Sequence, residues 1–249
     1  MAAGGPTSVI GVIQARAGSS RLPGKVLLSL HGRPVLDWVV RAAVDSGILD
    51  EVVVATSVSP EDDAVADRAS KLGASVVRGP EDDVLSRFLA VLEGRSPTCI
   101  VRLTADCPLL DPALIRLAVS TFLAADGSLD YLSTVLERTL PRGLDVEVLS
   151  AATLRQVATH ATGADRVHVT SAVYGAPERY AVGGLVFRPS ALDLRVTLDT
   201  ADDLRLLQAV VAELGDRPPA WRDVVALLRK RPELTDLNAH VRQKQLGEG

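Results

Sequence analysis

Aromatic side chains are scarce in this chain, with Phe, Tyr and Trp together making up 3% of it. Single-stranded nucleic acid binders stack successive bases on aromatic platforms, so that class is disfavoured, and a nucleobase held here is read by hydrogen bonds. A surplus of positive charge is missing too. The formal net charge of −4 offers no global field to a phosphodiester backbone, so nucleic acid is not an expected partner. Cysteine is limited to Cys99 and Cys107, which supply neither a disulfide framework nor a metal-ligand spacing. Cys107 stands beside Asp106, which disfavours its thiolate, and both cysteines read as small core residues in a reducing cytoplasm. No apolar run is long enough to cross a bilayer, and residues 1–8 lack an apolar signal-like stretch, so no membrane attachment is expected.

What is present is a large apolar fraction, 47% of 249 residues, enough for one elaborated domain with a full core. Strand patterns at 9–13, 51–55, 75–77, 99–103 and 195–198 alternate with helical periodicity near 35–47, 61–72, 83–92 and 112–125. This predicts an α/β fold whose central sheet is mainly parallel, or mixed, with helices on both faces. The rhythm breaks at 126–150, where Pro141-Arg142-Gly143-Leu144 reads as a turn before a strand of alternating acidic and apolar positions. Helices return at 151–162, 201–214 and 221–231, followed by a polar tail. A single domain over 1–249 is expected, with an insertion around 126–190 and a helical C-terminal end.

The most informative segment is the loop after the first strand, Gln14-Ala15-Arg16-Ala17-Gly18-Ser19-Ser20-Arg21-Leu22-Pro23-Gly24-Lys25. Such a loop leaves the carboxyl end of a parallel strand, where open α/β sheets bind ligands. Small residues let backbone N–H groups approach phosphate oxygens, and Arg16, Arg21 and Lys25 supply the charge a triphosphate rewards. Gln14, Ala15, Gly18, Ser19, Ser20 and Arg21 are the candidate nucleotide contacts, with Arg16 and Lys25 as the candidate catalytic cations. A merely solvated basic connection is the competing reading.

Two further strand ends carry acids. Thr104-Ala105-Asp106-Cys107-Pro108 closes one strand, and Thr197-Leu198-Asp199-Thr200 closes another. Asp106 could be a turn cap, but Asp199 precedes its own helix cap, Thr200, and is free to point across the sheet edge. Asp202 and Asp203 suit the first helical turn. Two carboxylates facing three cations fit a metal–triphosphate site for Mg²⁺, and neutralising either acid would relieve their mutual repulsion.

Six blocks, at 14–25, 82–87, 104–109, 141–147, 166–171 and 197–203, together make the chain resemble the spore-coat-polysaccharide type of cytidylyltransferases, relatives of the CMP-Kdo and CMP-sialate synthetases. The likeness extends to Leu237-Asn238 and Gln243-Lys244. The resemblance implies a Rossmann-like nucleotidyltransferase fold that transfers CMP from CTP to a sugar, sugar acid or other anionic acceptor, with Mg²⁺ and release of pyrophosphate. It implies triphosphate contacts by Arg16, Arg21 and Lys25, with Asp106 and Asp199 as metal ligands. Arg78, Asp83, Arg87 and Thr104 join the nucleotide side, with Asp82 favoured as the helix cap. Arg142, Asp145, Glu147, Arg166 and His168 are acceptor candidates, although alternating charges on a strand are commonly a solvated face. Departures occur at Ala105, where the family has glycine, and at Val167 and Ser171, where it has an acid and a proline; Asp165 could replace the lost carboxylate. The competing functions are a nucleotidyltransferase using another base, a glycosyltransferase on a related fold and a non-catalytic nucleotide sensor, which would have little reason to keep both Asp106 and Asp199. A homodimer is left open.

Overall fold

In the computed structural model, which describes residues 7–242, the apolar run Val9–Gln14 forms β1. A short hairpin, β2 (Ser29–Leu30) and β3 (Arg33–Pro34), follows the basic loop. The remaining strands are β4 (Glu51–Ser57), β5 (Ser75–Gly79), β6 (Cys99–Thr104), β7 (Tyr131–Ser133), β8 (Glu147–Ser150) and β9 (Val182–Gly184). A seven-stranded sheet runs in the order β5-β4-β1-β6-β8-β7-β9. The first four strands of that order are parallel, whereas β8 is antiparallel to both β6 and β7. The sheet is therefore mixed, and its parallel half carries the basic loop.

The helices are α1 (Val35–Asp45), α2 (Asp63–Lys71), α3 (Val84–Val91), α4 (Pro112–Ala124), α5 (Ala151–Ala158), α6 (Ala164–His168), α7 (Ser171–Tyr174), α8 (Ala201–Leu214), α9 (Trp221–Lys230) and α10 (Pro232–Asp236). Because side chains alternate along a strand, β1 sends Val9 and Ile13 into a core shared with α1, α4, α8 and α9, and Ile10 and Val12 into one shared with α3 and α5. Both faces are covered, as the continuous apolar strands predict. Asp111 caps α4 by accepting from Ala113 N at 2.7 Å, with Pro112 at the first helical position.

Four expectations need correction. Residues 195–198 add no strand to the sheet, because β8 already occupies the edge of β6; this segment runs extended and makes one parallel bridge, Arg142 to Arg195. The helix expected over 61–72 opens as a 3-10 turn, Pro60–Asp62, before α2. The cap of α3 is Asp83, whose carboxylate accepts from Ser86 N at 3.0 Å, rather than Asp82. Beyond α9 the chain also forms α10 instead of going directly into a polar tail. Gln243 and Lys244 lie outside the described residues.

Candidate functional site

The loop leaving β1 meets the carboxyl end of β6 in a cleft of about 250 Å³, lined by Gln14, Ala15, Gly18, Ser19, Ser20 and Thr104 together with the charged groups of the site. The loop is tied down by its own backbone: Gly24 N donates to Ala17 O at 2.9 Å, and Ala17 N donates to Asp62 Oδ1 at 2.6 Å. Gly24, at φ +67°, then turns the chain into a short 3-10 helix that begins at Lys25.

Lys25 Nζ donates to Asp106 Oδ2 at 2.6 Å and to Asp199 Oδ1 at 2.8 Å. The other oxygen of Asp199 accepts from Arg195 Nη2 at 2.7 Å and faces Arg21 Nη2 at 3.0 Å. Burial would raise the Asp199 pKa, but Lys25, Arg195 and Arg21 outweigh it and hold the carboxyl down to about 2. Burial pulls the Lys25 ammonium the opposite way, and the two carboxylates more than compensate, so its pKa rises.

Asp199 reaches Asp106 through backbone stitching. Leu198 N donates to Asp106 O at 2.8 Å, and Thr197 Oγ1 donates to the same oxygen at 3.1 Å. The extended segment also pairs with Arg142, and here Gly143 is indispensable. Its φ is +104°, and a Cβ would lie 2.6 Å from Thr197 N. Glycine in the Pro-Arg-Gly block thus lets two chain segments approach and sets Arg142 beside Arg195.

Other sequence candidates fall elsewhere. Arg16 pairs with Glu81 at 3.6 Å, half exposed at the cleft rim. Arg78 is engaged by Ser57 O at 2.8 Å, Ser59 O at 2.9 Å and Asp63 at 2.7 Å. Asp83, besides capping α3, accepts from Arg166 Nη2 at 2.6 Å, so these two candidates join α6 to α3 and do not line the cleft. Arg87 is 1% exposed, and its Nε and Nη1 make no hydrogen bond among the described residues. Burial, then the nearby charge of Arg16, lowers its pKa. Cys99 and Cys107 are buried as expected; burial pushes Cys99 up to about 12 and Cys107 well above its usual value.

A second pocket of about 360 Å³ adjoins the first and gathers Arg142, Asp145, Glu147 and His168. The two pockets share a wall: Arg102 Nη2 donates to Gln14 Oε1 at 3.1 Å. Arg102 also pairs with buried Glu147, which accepts from Tyr131 Oη at 2.7 Å and Thr170 Oγ1 at 2.6 Å. Asp145 is held by Arg138 through two bonds, at 2.7 and 3.0 Å. The Arg142 guanidinium makes no hydrogen bond or ion pair among the described residues; burial, Arg138 and Arg195 all lower its pKa. Burial and Arg102 likewise lower the pKa of His168, favouring its neutral form. Asp165, the acid that could replace the lost carboxylate, accepts from Ser171 Oγ at 2.7 Å, where the family has proline. Sequence reasoning missed Arg102 and Arg138. The signal for Arg102 was an arginine inside an otherwise apolar strand, Cys99–Thr104.

Asp106 and Asp199 present oxygen ligands from two elements toward one cation, Lys25 Nζ. Among the described residues no set of three or more His, Cys, Asp or Glu converges. Two carboxylates completed by phosphate and water oxygens match the habit of Mg²⁺, so these residues fit such an ion.

A family model described as cytidylyltransferase matches residues 10–174. An uncharacterized protein of Methanocaldococcus jannaschii is 35% identical over 96% of this chain and 98% of its own length. The spore coat polysaccharide biosynthesis protein SpsF of Bacillus subtilis is 32% identical over 90% of this chain and 95% of its own. A solved cytidylyltransferase from Leptospira borgpetersenii superposes with a TM-score of 0.89 at 28% identity, covering 96% of this chain and all of that one.

Proposed function

Because the chain belongs to the cytidylyltransferase family, we propose that its basic cleft binds CTP with a divalent cation and that CMP passes to an anionic acceptor held in the adjoining pocket. The observation that carries this reading is the convergence of Asp106, Asp199, Lys25 and Arg21 at one point of the sheet edge, from three separate stretches of chain.

The transfer forms a bond from an acceptor oxygen to the α-phosphorus and breaks the bond to the bridging oxygen, so pyrophosphate leaves. Charge spreads over the phosphoryl oxygens, and positioning with electrostatic stabilisation carries the catalysis. A Mg²⁺ ion held by Asp106 and Asp199 would neutralise triphosphate charge and favour an ionised acceptor oxygen. Lys25, bonded to both acids in the free protein, holds its ammonium where the metal and the triphosphate would meet, and it turns toward the phosphates as the acids take up the metal. Arg21 and Arg16 extend the positive charge along the loop toward the leaving group. Arg87 keeps unpaired guanidinium nitrogens, but at 1% exposure and outside the lining of the cleft it would reach a base or ribose oxygen only after a local rearrangement.

In the adjoining pocket Arg102 and Arg138 are neutralised by Glu147 and Asp145, which leaves Arg142 as the cation in excess. An acceptor bearing a carboxylate, phosphate or phosphonate satisfies it and brings its own ionised group. The region 126–190, which supplies most of this pocket, is the acceptor-binding part of the domain.

The test is pyrophosphate release from CTP, UTP, GTP and ATP across sugar acids, sugar phosphates and phosphonates. Cytidine selectivity with an anionic acceptor is expected, and equal rates with all four nucleotides would overturn it. Arg142→Ala should raise acceptor KM by roughly 10–100-fold, the scale of a lost charge-assisted contact. CTP affinity should stay constant; a loss confined to CTP would remove Arg142 from the acceptor side.

A further inference from the structure

Asp199 is held by atoms that belong to a third carboxylate. Its backbone N donates to Asp203 Oδ2 at 2.9 Å, and Arg195, which grips its side chain, is itself gripped by Asp203 at 2.9 and 3.1 Å. Asp203 has no exposed surface and also closes the capping box of α8 with Thr200. Both the backbone N of Asp199 and the guanidinium that grips its side chain are thus bonded to Asp203.

Asp203 has one further donor, and it comes from the C-terminal end of the chain. Asn238, 4% exposed, donates its Nδ2 to Asp203 Oδ1 at 2.8 Å and to Arg195 O at 3.3 Å. It sits just beyond α10, thirty-five positions from Asp203. The same tail touches the cleft again, since Arg242 O accepts from Arg21 Nη1 at 3.1 Å.

We infer that Asn238 is a positioning residue, orienting Asp203 and Arg195 so that Asp199 faces the metal and the triphosphate. The inference rests on the reading of Asp199 as a metal ligand. A buried amide bonded to both the acid and the backbone of its partner fixes their relative rotation, which an apolar contact of the same volume cannot do. Partners bonded directly to a metal ligand carry about 10–100-fold in metal affinity or activity, which sets the ceiling for a residue that acts through Asp203. No other assigned role explains a fully enclosed Asn at the end of a helical tail.

The experiment compares Asn238→Ala, Asn238→Ser and Leu234→Ala in the full chain. Leu234 is a buried packing residue of α10 with no polar side-chain atom to offer Asp203. Two readouts are taken: the Mn²⁺ concentration giving half of the thermal shift with CTP and no acceptor, and kcat with acceptor KM. Asn238→Ala should raise the Mn²⁺ midpoint and lower kcat by about tenfold each, the lower end of the range for direct partners of a metal ligand, with acceptor KM unchanged. Asn238→Ser, which keeps one donor, should fall between it and the wild type, and it tests the point if the alanine variant does not fold. Leu234→Ala should lower Tm while leaving both readouts near wild type. If the Asn238 variants lose only Tm, or if all three behave alike, Asn238 is structural and the inference is wrong. Asp199→Asn separates the two levels: if it leaves the Mn²⁺ response intact, the reading of the metal site itself fails.

Discussion

Lys25 Nζ donates to Asp199 Oδ1 at 2.8 Å, a contact between residues 174 positions apart in sequence. The same ammonium bonds Asp106, so the free protein carries its own cation between the two acids. That arrangement changes how charge deletions in the site should behave.

Lys25→Ala should lower kcat by about a hundredfold or more, the scale of losing one preorganised donor to a developing negative charge, with a smaller change in CTP KM. Steady-state kinetics with CTP varied at saturating acceptor decide the matter. A rise in KM alone would make Lys25 a docking residue.

Asp199→Asn should abolish metal-dependent transfer and also destabilise the free protein. Two neighbouring acids, judged from sequence, repel, and removing one would cost nothing. Instead, three cations converge on Asp199, and its loss leaves Lys25 and Arg195 short of a buried partner. The expected cost is about 2–3 kcal/mol, or roughly 4–12 °C in Tm for a domain of this size. Urea unfolding without metal or nucleotide measures it, and an unchanged midpoint would show the pairing to be energetically idle.

The same carboxyl predicts an acid limb of stability. Its pKa is held down to about 2 in the folded protein, below the ordinary value, so its contribution is fully present above pH 4. That contribution falls as the pH drops toward 2, because protonation breaks the contacts with Lys25, Arg195 and Arg21. Unfolding free energies of wild type and Asp199→Asn at pH 7, 4 and 2.5 should converge as the pH falls. A constant gap would place the stabilisation elsewhere.

Glu147→Gln should be among the most damaging single changes outside the cleft, at about 3–5 kcal/mol, because it strands buried Arg102. Replacing both partners, as Arg102→Met with Glu147→Leu, should recover much of that stability while acceptor binding stays lost. Chemical denaturation of the two variants checks this. Equal instability of both would mean that packing, not the uncompensated charge, is what fails.

Much of this architecture was legible locally. The β-branched run Val9–Gln14, the Asp111-Pro112 cap and the Thr200 cap each follow from short-range geometry, and each stands where the pattern placed it. The convergence of Asp106, Lys25 and Arg21 was legible too, because strand ends in a parallel sheet gather along one edge, whereas Asp199 joins them from a segment outside the sheet. Asp203 was not. As a first-turn acid it looked fully explained by the helix dipole, and nothing local distinguishes that role from a buried bond to Arg195 and Asn238.

The sequence by itself determined the fold class, the boundaries of the longer helices to within a few residues and the identity of the basic loop, because periodicity, caps and glycine positions act over a few residues. Which charges neutralise which was decided only by the tertiary structure. Arg102 meets Glu147 from a neighbouring strand, and Arg166 meets Asp83 across 83 positions, while Arg142 is left without an ion-pair partner among the described residues. Pairing of this kind depends on distances of a few ångströms between elements remote in the chain, and Coulomb energies change too steeply with separation and burial for spacing in sequence to reveal them.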